Sequence, residues 1–284
     1  MKLSKVVPVA AVLYVLFLSG SATLTSCKKD NDTTIIRDTL VVTDTLNVKD
    51  TTCRLYAGLV GYYNFTDGNL NDSSGYGNNI IFSNAVKTSG RSGKPNSAYQ
   101  FNGSSSYMQI KNHPSLNPSL ISIVATFKLN DFYYGSCHAS QIMGKGSTDF
   151  SNGVYCLRVR DMFVNCGDPV DTTTEFIYGA YGNNIQAISA TGARTDPYYI
   201  RTKNWYTVIF TYNGDTSRIY VDGQIKGNEH IVRAQFTANT QDLYIGKSEN
   251  ASNPYWFNGA LDELRIYNRP LNANEIKQLS EMRN

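Results

Sequence analysis

The sequence is poor in glutamate and proline. Glutamate occurs six times and proline 8 times in 284 residues, against 22 glycines and 20 tyrosines. This balance favours strands and turns over helices. The formal net charge of +3 provides no basic surface of the kind that nucleic acid requires. The composition therefore indicates a folded β protein that does not bind nucleic acid.

Several signatures of catalysis and metal binding are absent. The sequence has no G-x-S-x-G nucleophile elbow and no H-E-x-x-H metalloprotease helix. It has no C-x-x-C pair, and its three histidines, His113, His138 and His230, are scattered. A zinc site built on thiolates is therefore not expected.

The N-terminus has the pattern of an export signal. Two lysines precede an apolar run over residues 6–18, which is shorter than the roughly 20 residues that span a bilayer. Small residues follow, and Leu-Thr-Ser-Cys at 24–27 resembles a bacterial lipobox, in which the cysteine becomes the lipidated mature N-terminus. We therefore expect a signal peptide over 1–26 and a bilayer anchor at Cys27. The alternative is an ordinary signal peptide that is cut near Ser21 and leaves Cys27 unmodified.

Residues 27–54 are predicted to form an extended tether. Acidic residues soon after Cys27 resemble those of Bacteroidetes lipoproteins on the outer face of the outer membrane, which implies that location. Aspartate then recurs every six residues, at Asp32, Asp38, Asp44 and Asp50. Because side chains alternate along a strand, an even period keeps each residue type on one face. The repeat predicts an extended spacer or, alternatively, a β-structured oligomerisation stalk.

Four cysteines remain besides Cys27, and export would place them in an oxidising compartment. An even count there favours two disulfides, and four cysteines allow three pairings. We favour Cys156–Cys166, because residues 154–159 and 162–165 have the pattern of a hairpin that turns at residues 160–161. The second bridge would then be Cys53–Cys137, between the end of the tether and a loop.

Residues 55–284 have the pattern of one all-β domain. Short apolar runs alternate with turn clusters, as in a β-sandwich or barrel. The predicted strands are 59–65, 99–101, 107–110, 122–129, 154–160, 207–212, 218–221, 243–245 and 260–267. The C-terminus is predicted to be helical, with Asn272 as the N-cap and Glu275 at the third position. No Pro-rich or Gly/Ser-rich linker interrupts this region.

Several motifs in this region occur in a known order. The first is Leu-Val-Gly-Tyr-Tyr-Asn-Phe at 59–65, and a hairpin follows with Trp-Tyr-Thr-Val at 205–208 and Ile-Tyr-Val-Asp-Gly at 219–223. The most specific motif is Phe-Asn-Gly-Ala-Leu-Asp-Glu-Leu-Arg-Ile-Tyr-Asn-Arg-Pro-Leu at 257–271. Together they resemble the laminin-G-like, concanavalin A-like domains. The resemblance implies an all-β, two-sheet jelly-roll sandwich with a short C-terminal helix.

The resemblance also implies a calcium ion at one edge of the sandwich. Calcium prefers six to eight oxygen ligands from different segments. The family fold would bring Asp67, after the first strand, near Asp262 on the last strand, with the Gly103 carbonyl as a third ligand. The alternative is that such aspartates are turn residues, and for Asp72 in Asn-Asp-Ser-Ser-Gly the turn is the favoured interpretation.

Laminin-G-like domains commonly bind carbohydrate or protein partners, which implies a surface-displayed binding module. Loop aromatics are the candidate contacts, since loops on a rigid scaffold carry function. The candidates are Tyr133, Tyr134, Tyr198, Tyr199, Tyr255 and Trp256. Aromatics within strands, and Trp205 at a strand start, are interpreted as structural. We therefore expect non-catalytic glycan binding, with adhesive binding of a surface protein as the alternative.

A glycoside hydrolase of the laminarinase type shares the jelly roll and is the enzymatic alternative. Such chemistry needs two carboxylates that flank the scissile bond, which that family supplies as Glu-x-Asp-x-x-Glu on one strand. None of the six glutamates has this arrangement. Asp262 and Glu263 are adjacent, so their side chains would face opposite sides of a strand. The sequence therefore predicts a protein without this activity.

Overall fold

A computed structural model describes residues 51–146, 152–162, 166–183, 192–227, 229–231 and 233–282. The predicted signal peptide, the lipidation at Cys27 and residues 27–50 of the tether lie outside these ranges and stay predictions. Within the described ranges, no helix is both long enough and apolar enough to cross a bilayer.

The described residues form two short α-helices and sixteen β-strands. The helices are α1 (Thr51–Tyr56) and α2 (Ala273–Glu281). The strands are β1 (Leu59–Tyr63), β2 (Ile80–Ser83), β3 (Val86–Thr88), β4 (Ala98–Asn102), β5 (Met108–Ile110), β6 (Ile121–Leu129), β7 (Ser140–Lys145), β8 (Val154–Arg160), β9 (Phe176–Gly182), β10 (Ala193–Arg194), β11 (Trp205–Tyr212), β12 (Thr216–Val221), β13 (Gln224–Ile225), β14 (His230–Ile231), β15 (Leu243–Ile245) and β16 (Asn258–Tyr267). Each of the nine strands predicted from the sequence is present.

The strands form two antiparallel sheets. In the first sheet the order is β13-β12-β11-β6-β16-β4-β3, with β1 also paired to β16 and β14 to β12. In the second sheet the order is β10-β9-β8-β7-β15-β5-β2. The last strand, β16, lies between β6 and β4, so strands distant in sequence are neighbours in the sheet. The predicted two-sheet jelly-roll sandwich is confirmed.

Strand β6 shows how the sequence produces the sandwich. Its odd-numbered residues are apolar and lie in the main core, where Phe127 is fully buried. The residues between them, such as Thr126 and Lys128, point to the opposite face because side chains alternate along a strand. β6 pairs with β11 over eight residues and with β16 on its other side. Burial of the inward residues of both sheets supplies the main driving force for folding.

Helix α2 forms as the sequence predicts. Asn272 caps its N-terminus, and Glu275 completes a capping box by accepting from the Asn272 backbone N–H. Ile276 and Leu279 then pack against Val124 of β6 and other residues of the first sheet. The helix therefore covers part of the outer face of this sheet.

The end of the tether differs from the prediction of an extended chain through residue 54. Residues Thr51–Tyr56 form helix α1, which crosses the expected domain boundary at residue 55. The Tyr267 hydroxyl donates to the Leu55 carbonyl at 3.0 Å, and Arg269 donates to the carbonyls of Arg54 and Ala57. These contacts tie residues 54–57 to the last strand of the domain.

The structure contradicts both predicted disulfides, because it contains a Cys137–Cys166 bridge. Cys137 is therefore not paired with Cys53, and Cys166 is not paired with Cys156. The predicted hairpin is also wrong, since β8 pairs with β7 and with β9, which begins at residue 176. Cys156 lies in the middle of the second sheet, 2% exposed, and keeps its thiol.

Candidate functional site

The two sheets differ in what covers their outer faces. The outer face of the first sheet packs against α1 and α2 in a second apolar cluster that includes Leu55 and Ile276. In the second sheet, Tyr155, Leu157 and Val159 of β8 point into the main core. Residues that alternate with such positions face outward, and on this sheet they include several aromatic and cationic side chains.

Four aromatic side chains and one lysine form a cluster at one side of this outer face. The Lys247 ammonium lies 4.4, 4.7 and 5.8 Å from the ring centres of Tyr107, Tyr244 and Trp256. The Phe82 ring packs against Tyr107 at 4.7 Å, and Phe82 is exposed. We call Tyr107, Tyr244, Trp256 and Lys247 the aromatic cup. A cation held among ring faces in this way is attracted by their negative π surfaces.

Local sequence explains how the cup is built. Leu243 and Ile245 of β15 point into the core, so Tyr244 between them must face outward. The chain then turns at Gly246, whose φ is +85° and where a Cβ would lie 2.4 Å from the Phe101 ring. Glycine is therefore required at this turn, and it brings Lys247 back over the rings.

Polar groups line the rim of the cup. Asp242 accepts hydrogen bonds from the Gln109 side chain at 2.7 Å and the Asn112 backbone N–H at 2.8 Å. Although burial opposes the change, these bonds lower the pKa of Asp242. Burial, and next the charge of Asp242, raise the pKa of Glu249. Burial lowers the pKa of Lys247, while the Glu249 charge acts in the opposite direction.

A second cluster, which we call the arginine row, lies across β8, β9 and β10. Arg158, Tyr178 and Arg194 are paired side by side at one register, and Arg160 is paired with Phe176 two residues further along. The guanidinium carbons of Arg160 and Arg194 lie 5.9 and 5.4 Å from the centre of the Phe176 ring. Arg158 and Arg160 are two residues apart in β8 and share its outer face. Arg194 is paired with Tyr178, which is paired with Arg158, so its side chain lies on the same face of the second sheet.

Arg158 is the buried member of the arginine row, and aromatic and sulfur contacts hold it in place. Its guanidinium lies 5.6 Å from the Tyr178 ring and 5.4 Å from the Tyr255 ring. Its Nε and Nη2 donate to the Cys156 sulfur at 3.2 and 3.0 Å, and Arg158 is 5% exposed. Arg158 is therefore a fixed support that positions the two tyrosine rings.

Gly144 of β7 lies between the two clusters. It is paired with Tyr244 on one side and with Cys156 on the other. The Gln141 amide occupies the space above it, since a Cβ on Gly144 would lie 2.1 Å from Gln141 Nε2. A carboxamide thus lies between the aromatic cup and the arginine row.

The structure places the predicted ligand-binding aromatics in different environments. Trp256 belongs to the aromatic cup, while its neighbour Tyr255 is buried against Cys137 and Ala139. Tyr133 packs on that same small cluster. Sequence reasoning missed Tyr107 and Tyr244, because aromatics near or within strands were interpreted as packing residues.

The remaining candidates lie in loops near the start of β9. Tyr134 and Tyr198 are 60% and 52% exposed. The Tyr198 backbone N–H donates to the Glu175 carbonyl, and the charge of Glu175 contributes to raising the pKa of Tyr134 after burial and Asp131. Tyr199 packs partly against the main core. The described contacts join none of these tyrosines to the aromatic cup.

The proposed calcium ligands are not all brought together. Gly103 donates its backbone N–H to the Phe257 carbonyl, and Phe257 precedes Asp262 by five residues, roughly 16 Å at the rise of an extended strand. Asp67 is exposed and precedes Gly68, which bonds to the carbonyl of Asn96 near the start of β4. Gly103 at the far end of β4 therefore does not join a site at Asp262.

Asp262 itself is buried at a bulge in β16. Its Oδ2 accepts from the Arg91 backbone N–H at 2.8 Å, and its Oδ1 has no hydrogen-bond partner among the described residues. Burial raises the pKa of Asp262 to about 6. The described residues contain no group of three or more His, Cys, Asp or Glu side chains that could hold a metal. Calcium binding stays a prediction.

Asp72 is the turn residue that the sequence predicted. Its two carboxylate oxygens accept from the backbone N–H groups of Tyr62, Ser74 and Asn78 and from the Ser74 hydroxyl. Its acceptor capacity is thus used to hold the turn against β1.

Three ionisable residues are buried where β8 ends and β9 begins. His138 Nδ1 pairs with Asp161 Oδ2 at 2.9 Å, and the Asp171 backbone N–H donates to the same oxygen. Glu175 is 1% exposed, and neither of its carboxylate oxygens has a hydrogen-bond partner among the described residues. Burial, and next the charge of Asp161, raise the pKa of Glu175 to about 9. The carboxyl of Glu175 is therefore neutral at physiological pH.

Comparisons with solved structures identify the same fold. Domain 4 of the arabinanase AbnA from Geobacillus stearothermophilus, in complex with arabinotriose, matches with a TM-score of 0.55 and 19% identity over 79% of this chain and 99% of that chain. The botulinum neurotoxin type G receptor binding domain matches with a TM-score of 0.55 and 14% identity over 79% of this chain and 51% of that one. Trypanosoma rangeli sialidase in complex with sialic acid matches with a TM-score of 0.51 and 20% identity over 78% of this chain and 32% of that one.

Sequence comparison identifies the family. A search of curated proteins found no match. The profile of the concanavalin A-like lectin/glucanases superfamily matches residues 101–277, which is more than half of the chain. With the two-sheet topology described above, this match identifies the protein: the chain belongs to the concanavalin A-like lectin/glucanase superfamily.

Proposed function

We propose that the outer face of the second sheet binds carbohydrate without cleaving it. The observation that carries the proposal is the aromatic cup, in which Tyr107, Tyr244 and Trp256 surround Lys247. On the first sheet, α1 and α2 pack on part of the outer face, and among the described residues Lys128 lies 5.2 Å from one ring only, that of Trp205. The solved structures with bound arabinotriose and sialic acid share only the fold with this chain, and they make sugars a reasonable first class of ligand to test.

The chemistry of the cup suits a sugar ring. A pyranose or furanose has an apolar face of C–H groups, which can pack on an aromatic ring, and hydroxyls around its edge. Ligand sites in proteins combine such apolar contact with a few placed polar groups. Here the polar groups are the Lys247 ammonium and the carboxyl of Glu249, which interact electrostatically.

Replacing the cup aromatics is expected to abolish most of the binding. Trp256→Ala and Tyr244→Ala should each weaken the affinity for a bound neutral glycan by about tenfold or more, since central aromatics contribute most to such interfaces. Calorimetry against arabinan, laminarin, galactan and xyloglucan would measure this. Tyr76→Ala is the matched control, because Tyr76 is 48% exposed and lies in a turn of the 72–78 segment.

Two outcomes would contradict the proposal. If Tyr134→Ala and Tyr198→Ala reduce binding while the cup variants do not, the binding surface is the loop region near Glu175. If no glycan binds the wild-type domain, adhesive binding of a protein partner becomes the better hypothesis. Melting temperatures of the variants close to that of the wild type would show that the losses are local.

One observation favours a glycosidase as the second candidate. Asp242 and Glu249 interact electrostatically near the cup, and their pKa values are moved in opposite directions, as in an acid and base pair. Both Asp242 oxygens, however, hold the neighbouring β5 edge through Gln109 and Asn112. This engagement favours a structural role for Asp242.

We expect no release of reducing sugar from any glycan that the domain binds. Glu249→Gln should retain that binding to within a few-fold, because the glutamine amide has nearly the same shape and can still form hydrogen bonds with a sugar hydroxyl. Reducing-sugar assays over a day on the same glycans would check the first statement. Release that disappears in Glu249→Gln would make the protein an enzyme.

A further inference from the structure

We infer that the glycan bound by this face carries an acidic group, a carboxylate or a sulfate ester, and that Arg160 and Arg194 bind it. The inference rests on the proposed function and specifies the class of glycan. It comes from the arginine row, because the packing of a neutral sugar on the aromatic cup involves none of these arginines.

The first step is the placement of the two guanidiniums. Arg160 and Arg194 come from different strands, and both lie within 6 Å of the centre of the Phe176 ring. Arg194 is exposed and Arg160 is partly exposed. Because β8 and β10 flank β9, the two guanidiniums lie on the two sides of one ring, at most about 11 Å apart. An anionic group above that ring therefore lies between two cations.

The second step is the charge of the surrounding strands. β8, β9 and β10 contain three arginines and no aspartate or glutamate. Glu175, which precedes β9 and interacts with Arg160, is buried, and its pKa is raised to about 9 by burial. The Glu175 carboxyl is therefore neutral at pH 7. Asp161, which directly follows β8, is buried, and its Oδ2 is engaged by His138 and by the Asp171 backbone N–H.

The third step is the rigidity of the row. Arg158 is buried between the Tyr178 and Tyr255 rings and donates to the Cys156 sulfur. It fixes the surface on which the outer two arginines rest. A planar guanidinium presents paired N–H donors that match carboxylate and sulfate oxygens, and such charge-assisted bonds are about twice as strong as neutral ones.

The fourth step links the row to the cup. Tyr255 contacts Arg158 and its neighbour Trp256 belongs to the cup, so one short segment contributes to both clusters. β10 and β15 are four strands apart in the second sheet, which corresponds to roughly 19 Å at the usual strand spacing. A short oligosaccharide laid across the strands would reach from Tyr244 to Arg194, with its acidic group at the arginine end.

The test uses paired acidic and neutral probes on the full chain. Polygalacturonate is compared with its fully methyl-esterified form, and dextran sulfate with dextran, so that the two pairs separate a carboxylate from a sulfate. We expect at least one acidic probe to bind about tenfold or more tightly than its neutral partner, as expected when charged hydrogen bonds are added. This preference should decrease as salt is raised.

Variants then locate the effect. Arg194→Gln and Arg160→Gln should each remove most of the preference for the acidic probe. Arg233→Gln removes the same charge from an exposed arginine that pairs with Asp215, and should leave the preference unchanged. Tyr244→Ala should weaken the binding of the acidic probe and of the neutral probe by similar factors.

The outcomes separate the two proposals. Equal affinity for the acidic and neutral members of both pairs, with loss in Tyr244→Ala, would overturn the inference and leave carbohydrate binding intact. The same holds if Arg233→Gln lowers the acidic preference as much as Arg194→Gln, because general charge would then explain it. Failure of every probe and every neutral glycan to bind would overturn both.

Discussion

Glu175→Gln is expected to stabilise the folded domain at pH 7 by up to about 3 kcal/mol. Glu175 is 1% exposed, and no described donor reaches either carboxylate oxygen. The folded state therefore retains the proton, and the pKa of Glu175 is raised to about 9 by burial. Glutamine has nearly the same shape and needs no proton to be neutral.

The effect should depend on pH with a definite sign. Below the unfolded pKa of about 4.5 both states hold the proton, and the wild type and the Glu175→Gln variant should differ little in stability. As the pH rises toward 9, the unfolded state loses the proton while the folded state keeps it, so wild-type stability falls by about 1.4 kcal/mol per unit. The variant lacks this loss, and the difference between the two proteins should grow between pH 4.5 and pH 7.

Urea unfolding of both proteins at pH 4.5, 5.5 and 7 would measure the difference. Other buried acids, such as Asp262, are present in both proteins and cancel in the comparison. Glu281→Gln is the control, because Glu281 is 66% exposed and should change stability by less than about 0.5 kcal/mol. A difference that does not change with pH would mean that Glu175 is ionised in the folded protein.

Loss of the Cys137–Cys166 bridge is expected to destabilise the domain by about 3 to 4 kcal/mol in the chain-entropy account. The bridge joins residues with a sequence separation of 29. Without it, the unfolded chain gains conformational entropy, and this gain favours unfolding. Urea unfolding of the Cys137→Ser, Cys166→Ser double variant would measure the loss. A reductant should lower the stability of the wild type by a similar amount and leave the double variant unchanged.

Peptide mapping without reduction provides the independent check. The expected cross-linked peptide joins Cys137 to Cys166, and Cys156 should be alkylated only after unfolding, since it is 2% exposed. A cross-link between Cys156 and Cys166 would contradict the structure. So would a double variant as stable as the wild type.

The errors in the sequence analysis have a common physical cause. The hairpin that would have joined Cys156 to Cys166 does not form, because β8 ends at Arg160 and its partner β9 begins only at Phe176. Nothing local to residues 161–175 reveals that the chain takes a long connection before it returns. Cys137 reaches Cys166 because a short turn at residues 136–138 and the loop that contains Cys166 meet at the end of the sheet.

The candidate site was visible in part. The position of Trp256 in a late loop predicts a ligand contact, and Trp256 belongs to the aromatic cup. Tyr244 could have been found from the run Leu-Tyr-Ile, in which the first and third residues face the core and the tyrosine therefore faces outward. Arg158 and Arg160 likewise share one face of β8. What the sequence could not show was that the outer face of this sheet is the one that α1 and α2 do not cover.

The all-β class, the positions of nine strands, the capped C-terminal helix and the family could all be predicted from the amino-acid sequence. These properties depend on residue alternation, caps and motifs, which act over a few neighbouring positions. The strand order, the disulfide and the aromatic cup required the three-dimensional structure, because Tyr107, Tyr244 and Trp256 come together only when segments distant in sequence become neighbours. Such contacts depend on which strands pair within the second sheet, and no local pattern encodes that pairing.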